Sequence, residues 1–145
     1  MSFRRGPGLR GMSTSTNRPT TVSNLGGVMF TVADQDAALA FYTEKLGWEV
    51  RADERFGDNG EMRWLEVAPP GSTARLALNP PMRDEPGGCA IGVETPDMHA
   101  EHERLQAVGG VTVVTPPMEM AAAPPMFSVQ DPDGNHIWIV QTRPA

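Results

Sequence analysis

The feature that most constrains this chain is an approximate internal repeat. Val32, Asp34 and the helical run from Ala37 to Gly47 are echoed 63 positions later by Thr95, Asp97 and the run from Ala100 to Gly110. Self-similarity at one period marks two copies of a single supersecondary unit, neither of which buries its apolar face alone. With 145 residues, the chain has room for one well-buried core or for two half-size modules that share one.

Local signals set the order of elements within each copy. In the first, Gly27 to Val32 reads as a strand and Asp34 as a helix cap, because its carboxylate can accept the free N–H groups of a first helical turn. Ala38, Phe41, Tyr42 and Leu46 recur at helical spacing, so Phe41 and Tyr42 are expected to pack against the first sheet, and Gly47 ends the helix. Trp48 to Phe56, Met62 to Ala68 and Ala74 to Asn79 read as strands, separated by Asp58-Asn59-Gly60 and Pro69-Pro70-Gly71.

The second copy follows a Pro/Gly-rich linker. Ala90 to Thr95 is a strand, Asp97 caps a helix marked by Met98, Leu105 and Val108, and Gly109-Gly110 ends it. Val111 to Thr115, Met126 to Gln130 and His136 to Gln141 complete the set, and Pro116 to Pro125 reads as a loop long enough to lie over an opening. Asp131-Pro132-Asp133-Gly134-Asn135 is a turn signal, combining a fixed φ, tolerance of positive φ and side chains that bond to nearby backbone. The organisation is a disordered basic arm at 1–24, a βαβββ module at 25–80, a linker at 81–88, a second module at 89–142 and a tail at 143–145. Met12 is a candidate alternative start.

Charge and composition exclude several classes. A formal charge of -6 disfavours a nucleic-acid partner. The arm carries Arg4, Arg5, Arg10 and Arg18 without the apolar run of a secretory signal, and no stretch approaches the roughly 20 apolar residues of a membrane span. The single cysteine, Cys89, excludes an internal disulfide and fits a reducing compartment, so the cytoplasm is the expected location.

Thr31-Val32-Ala33-Asp34, Ala40-Phe41-Tyr42 with Leu46-Gly47, and Asp131 to Asn135 before the last strand resemble the vicinal oxygen chelate superfamily. This is the glyoxalase, bleomycin-resistance and extradiol-dioxygenase fold, and the similarity covers about Leu25 to Gln141. It implies an α+β fold in which paired βαβββ modules form curled mixed sheets around a cavity, helices on the outer faces, and it implies a homodimer. In metal-dependent relatives the ligands come from inward-facing positions on the first and last strand of each unit. Carried onto this chain, those positions are Gly27, Ala77, Ala90 and Trp138, none with a donor side chain. The expectation is a metal-site-deficient member without a cofactor.

Alternation places Met29 and Thr31, Arg75 and Asn79, and Gly92 and Glu94 on the inward side of their strands, with His136 and Trp138 on the last strand. Glycine leaves volume, Met29 and Trp138 offer apolar contact, and the polar groups can orient a ligand. Arg75 is a partner for a ligand carboxylate or for Glu94, with the structural pair preferred. The pattern leaves open which face of the Met62 to Ala68 strand points inward. Trp64 is either the second wall of an aromatic slot with Trp138 or a core or interface residue.

His99 and His102 lie three apart on a helix beside Glu101 and Glu103 and read as surface residues. Met118, Met120 and Met126 fit a soft lid or a hydrophobic contact. The catalytic candidates are His136, Glu94 and Glu119. The leading expectation is a metal-free protein that binds a small apolar, aromatic or cationic molecule. The alternatives are a lyase, isomerase or dioxygenase of the same superfamily acting on a small metabolite, and a structural or regulatory dimer.

Overall fold

A computed structural model describes residues 19–82 and 85–142. The expected arm lies largely outside these residues, as does the tail.

Each half of the chain forms its own four-stranded mixed sheet. In the first, β1 (Gly27–Thr31) leads through Asp34 into α1 (Gln35–Ala40), and β2 (Glu49–Phe56), β3 (Met62–Ala68) and β4 (Arg75–Asn79) follow. In the second, β5 (Ala90–Thr95) precedes α2 (Met98–Val108), then β6 (Thr112–Met120), β7 (Ala123–Gln130) and β8 (His136–Gln141). The strand orders are β1-β4-β3-β2 and β5-β8-β7-β6, with the opening strand parallel to the closing strand in each. The two orders are the same, which is the repeat expressed as topology.

Both helices start at an aspartate cap. Asp34 accepts from the Ala37 N–H and Asp97 from the Ala100 N–H, each satisfying one orphan donor of the first turn. α1 continues as a π-helical turn, Phe41–Lys45, in which the Leu46 N–H reaches back to the Phe41 carbonyl. The wider turn keeps consecutive Phe41 and Tyr42 both in the core, their rings edge to face at 5.2 Å.

The sheets do not curl around a cavity. They are two separate, open sheets flanked by helices, and this corrects the architecture expected from the resemblance. The physical reason lies in which faces the halves share. Phe30, Val32, Leu65, Val67, Leu76 and Leu78 of the first half join Met98, Leu105, Phe127, Val129, Ile137 and Ile139 of the second in a single apolar core. Burying each large side chain contributes about 1.5–3 kcal/mol, so the helix-bearing faces meet each other and the opposite faces stay open.

A buried polar network sits where the halves meet. Tyr42 donates to Asp131 Oδ2 at 3.0 Å, and Asn135 Nδ2 donates to the same oxygen at 2.9 Å and to the Thr31 carbonyl at 3.0 Å. Asp131 Oδ1 accepts from the backbone N–H groups of Asp133 and Asn135, so the turn before β8 is also the clasp between halves. Burial, reinforced by the Asp131 charge, pushes the Tyr42 phenol well above its usual range.

A second correction concerns 116–125, expected as a loop. β6 runs through Pro116 and Pro117 to Met120, and β7 begins at Ala123. β6 is an edge strand whose register shifts between Val113 and Thr115, Thr115 and Met118, and Met118 and Met120. Prolines are tolerated there because an edge strand need not donate every N–H to a ladder, and the bulges absorb the mismatch.

Candidate functional site

The open faces of the two sheets carry the candidate residues. On the first sheet, Gly27 pairs with Arg75, Met29 with Ala77 and Thr31 with Asn79, all on the side opposite the core. The face of β3 is settled by its neighbours. Leu65 and Val67 enter the core, and Arg63 is held by Asp36 of α1 at 2.7 Å and by both oxygens of Asp53 at 2.8 and 2.9 Å. Met62, Trp64 and Glu66 therefore point to the open face.

Met29, Trp64, Glu66, Arg75 and Ala77 line a cleft of about 320 Å³ there. Met29 is 64% and Trp64 38% exposed, so the apolar floor is accessible. Arg75 Nη1 lies 3.6 Å from Glu66 Oε1. The expected Arg75–Glu94 pair is thus replaced by a pair within one sheet, because Glu94 belongs to the other sheet and Glu66 sits one strand away. Asn79 Nδ2 reaches Met29 Sδ at 3.8 Å. Thr31 is committed to structure, its hydroxyl and carbonyl both accepting from the Gly87 N–H at 3.0 Å.

On the second sheet, Ala90 pairs with His136, Gly92 with Trp138 and Glu94 with Val140. The His136 and Trp138 rings stack with centroids 5.1 Å apart and planes 20° from parallel. Beneath them Ser128, fully buried, meets His136 Nε2 at 2.7 Å and accepts from the Thr115 N–H at 3.1 Å. Nothing fills the space where a Gly92 side chain would stand, so the aromatic pair borders a bare shelf. Trp138 stacks on His136, whereas Trp64 lies on the open face of the other sheet.

A junction cleft of about 620 Å³ joins the sheets, with Val28 and Arg75 on one side and Gly92 and Glu94 on the other. Glu119 stands apart from this constellation. It meets His99 of α2 at 3.1 Å, so it is not brought to Glu94 and His136. His102 is also occupied, packing edge to face on Phe127.

Ser128 is not singled out by the sequence, and Glu66 belongs to the strand whose inward face the pattern leaves open. Alternation with Met126 and Gln130 was the signal available for Ser128, and alternation with Trp64 for Glu66.

Residues 24–139 match the family profile of the Glyoxalase/Bleomycin resistance protein/Dioxygenase superfamily. The chain belongs to that superfamily. An uncharacterized protein of Bacillus subtilis, YetH, is 32% identical over 117 residues, covering 79% of this chain and 94% of that protein. Among solved structures, a superfamily member from Sphaerobacter thermophilus is 31% identical with a TM-score of 0.75, covering 85% of this chain and all (100%) of that one. TnmS3, an antibiotic binding protein from a Streptomyces species, is 32% identical with a TM-score of 0.74, covering 86% of this chain and 100% of its own.

The donor set of a superfamily metal centre does not fit these residues. Among the described residues no three His, Cys, Asp or Glu side chains gather as a metal would require. At the first expected position, a Cβ on Gly27 would stand 2.7 Å from the Arg75 carbonyl oxygen, closer than side-chain carbons approach backbone. A side chain at 27 would therefore force β1 away from β4, so close packing of the two strands disfavours a ligand at this position. Ala77, Ala90 and Trp138 occupy the other positions.

Proposed function

We propose that this superfamily member binds a small apolar or aromatic molecule without a metal, on the open sheet faces, as a homodimer. The observation that carries the reading is the pairing of accessible aromatic surface with bare floor, half-buried Trp138 stacked on His136 beside Gly92, and exposed Trp64 beside Met29. Such surfaces suit flat ligands, held by dispersion and oriented by a few polar groups. Glu66 is paired with Arg75 on its face, so a preference for a cationic over an anionic group on the ligand rests on Glu94 and on the acidic charge of the chain. The likeness to TnmS3 supports the same reading, since that protein is an antibiotic binding protein.

A second copy of the chain is the proposed cover for these faces. Val28, Met29, Phe56, Met62 and Trp64 are exposed large apolar side chains, and all but Val28 share one face of the first sheet. Apposing this face to that of a partner would remove them from water and enclose a ligand between sheets.

The test is a tryptophan-fluorescence titration with a panel of flat aromatic compounds, run beside light scattering of the free protein. Saturable quenching that is lost in Trp138→Ala, from a dimeric species, is the expected result. Quenching that scales linearly with ligand and ignores the substitution would refute binding at this face. Activity on a small metabolite that chelation abolishes would instead place the protein with the metal-dependent enzymes.

A further inference from the structure

Ser128 is a fully buried hydroxyl on the side of β7 opposite Phe127 and Val129, and its role is not packing alone. Its oxygen accepts the Thr115 N–H at 3.1 Å, which leaves its own hydrogen in need of an acceptor. A buried O–H left without one costs more than the bond is worth when made. The acceptor it meets among the described residues is His136 Nε2, at 2.7 Å. An Nε2 that accepts from Ser128 carries no hydrogen, so the ring hydrogen of the uncharged imidazole resides on Nδ1.

The two nitrogens lie on different sides of the ring. With Nε2 turned toward Ser128 on β7, the Nδ1–H bond diverges widely from that direction, and on the other flank of β8 the β5 residues level with His136 and Trp138 are Ala90 and Gly92. Among the described residues Nδ1 has no hydrogen-bond partner, and His136 is half-buried. Stacking on Trp138 fixes the ring plane, and Ser128 fixes its rotation and tautomer. The result is one oriented N–H donor at the edge of an apolar, aromatic shelf.

We infer that Ser128 is a positioning residue that sets His136 as an Nδ1–H donor, and that the ligand selected is a flat aromatic bearing a hydrogen-bond acceptor such as a ring carbonyl. The second part rests on the proposed ligand-binding role of this face; the first does not. A ligand lying on the Gly92 shelf against Trp138 would present its acceptor in plane to Nδ1. A purely hydrocarbon ring would fill the same space and leave the donor unpaired, which is a penalty against it.

Fluorenone and fluorene separate these terms, because they share one ring system and differ by a carbonyl. Long-range proton–nitrogen correlation spectra of the full-length protein, with His136→Phe used to assign the signals, should show His136 protonated at Nδ1 and bare at Nε2. Ser128→Ala should return the ring to a mixture while circular dichroism is unchanged. In fluorescence titrations the wild type should prefer fluorenone by about threefold to tenfold, the range of one neutral hydrogen bond. That preference should fall to parity in Ser128→Ala with fluorene affinity retained. An Nε2–H tautomer in the wild type overturns the positioning role, whatever the fold of the variant. Equal affinity for the two compounds, or a preference that survives Ser128→Ala, overturns the selectivity while leaving ligand binding intact. Failure of both compounds to bind overturns the selectivity and the proposed binding role together.

Discussion

Tyr42 and Asp131 lie 89 positions apart in sequence and share a 3.0 Å hydrogen bond in the core, the phenol donating to Oδ2. Tyr42 belongs to the first repeat and Asp131 to the turn before β8 in the second, so this bond ties the two halves through a fully buried ring. Tyr42→Phe removes the donor and leaves Oδ2 with Asn135 alone. The expected loss is about 1.5–3 kcal/mol, the range for bonds to charged acceptors, measured as a lower midpoint in urea at unchanged slope.

The same bond predicts alkaline sensitivity. The Tyr42 phenol is raised above its ordinary value of 10.0, first by burial and then by the Asp131 charge. Its folded value exceeds its unfolded one, so its contribution is complete below about pH 10 and falls as pH rises beyond, by up to about 1.4 kcal/mol per unit. Denaturation curves between neutral pH and about pH 11 should steepen their loss of stability above about pH 10, in the range where the free phenol ionises. In Tyr42→Phe that component should vanish.

At the acid end the relevant group is Asp53. Its hydrogen bonds from Arg63 hold its carboxyl below the ordinary 3.8. A depressed folded value means that the contribution is present above the unfolded value and is lost as pH falls through the folded one. The pair is partly exposed, so the effect is modest and sensitive to salt. Asp53→Asn should flatten the acid limb of the stability profile, and raising ionic strength should flatten it in the wild type.

Much of this framework was legible in the sequence because its signals are local. Asp34 and Asp97 announced both helices, and Met62–Ala68, Ala90–Thr95 and His136–Gln141 have the bounds their alternation suggested. The strand through Pro116 and Pro117 was not legible, since proline argues against a ladder and only edge position and bulges reconcile it. Alternation sorted residues into two faces but could not say which faces the halves would share. That choice was decided by core apolar volume on the helix sides. The Ser128–His136 bond required cross-strand register, in which Ser128 opposes Trp138 and so lies diagonally from His136.

Gly27 supplies the test of why no metal ligand stands on β1. A Cβ there would come within 2.7 Å of the Arg75 carbonyl oxygen, a backbone atom fixed by the β1–β4 ladder. Gly27→Ala should therefore destabilise by about 1–3 kcal/mol, the range for forced overpacking, seen as a lowered Tm. Gly26, one position earlier, has open space where a Cβ would stand, so Gly26→Ala should be tolerated and serves as the matched control. Gly27→His would add a donor at the superfamily position yet should bind zinc no better than wild type, because Ala77, Ala90 and Trp138 supply no further donors. Tight, stoichiometric zinc uptake by that variant in calorimetry would show that other side chains converge on the same point.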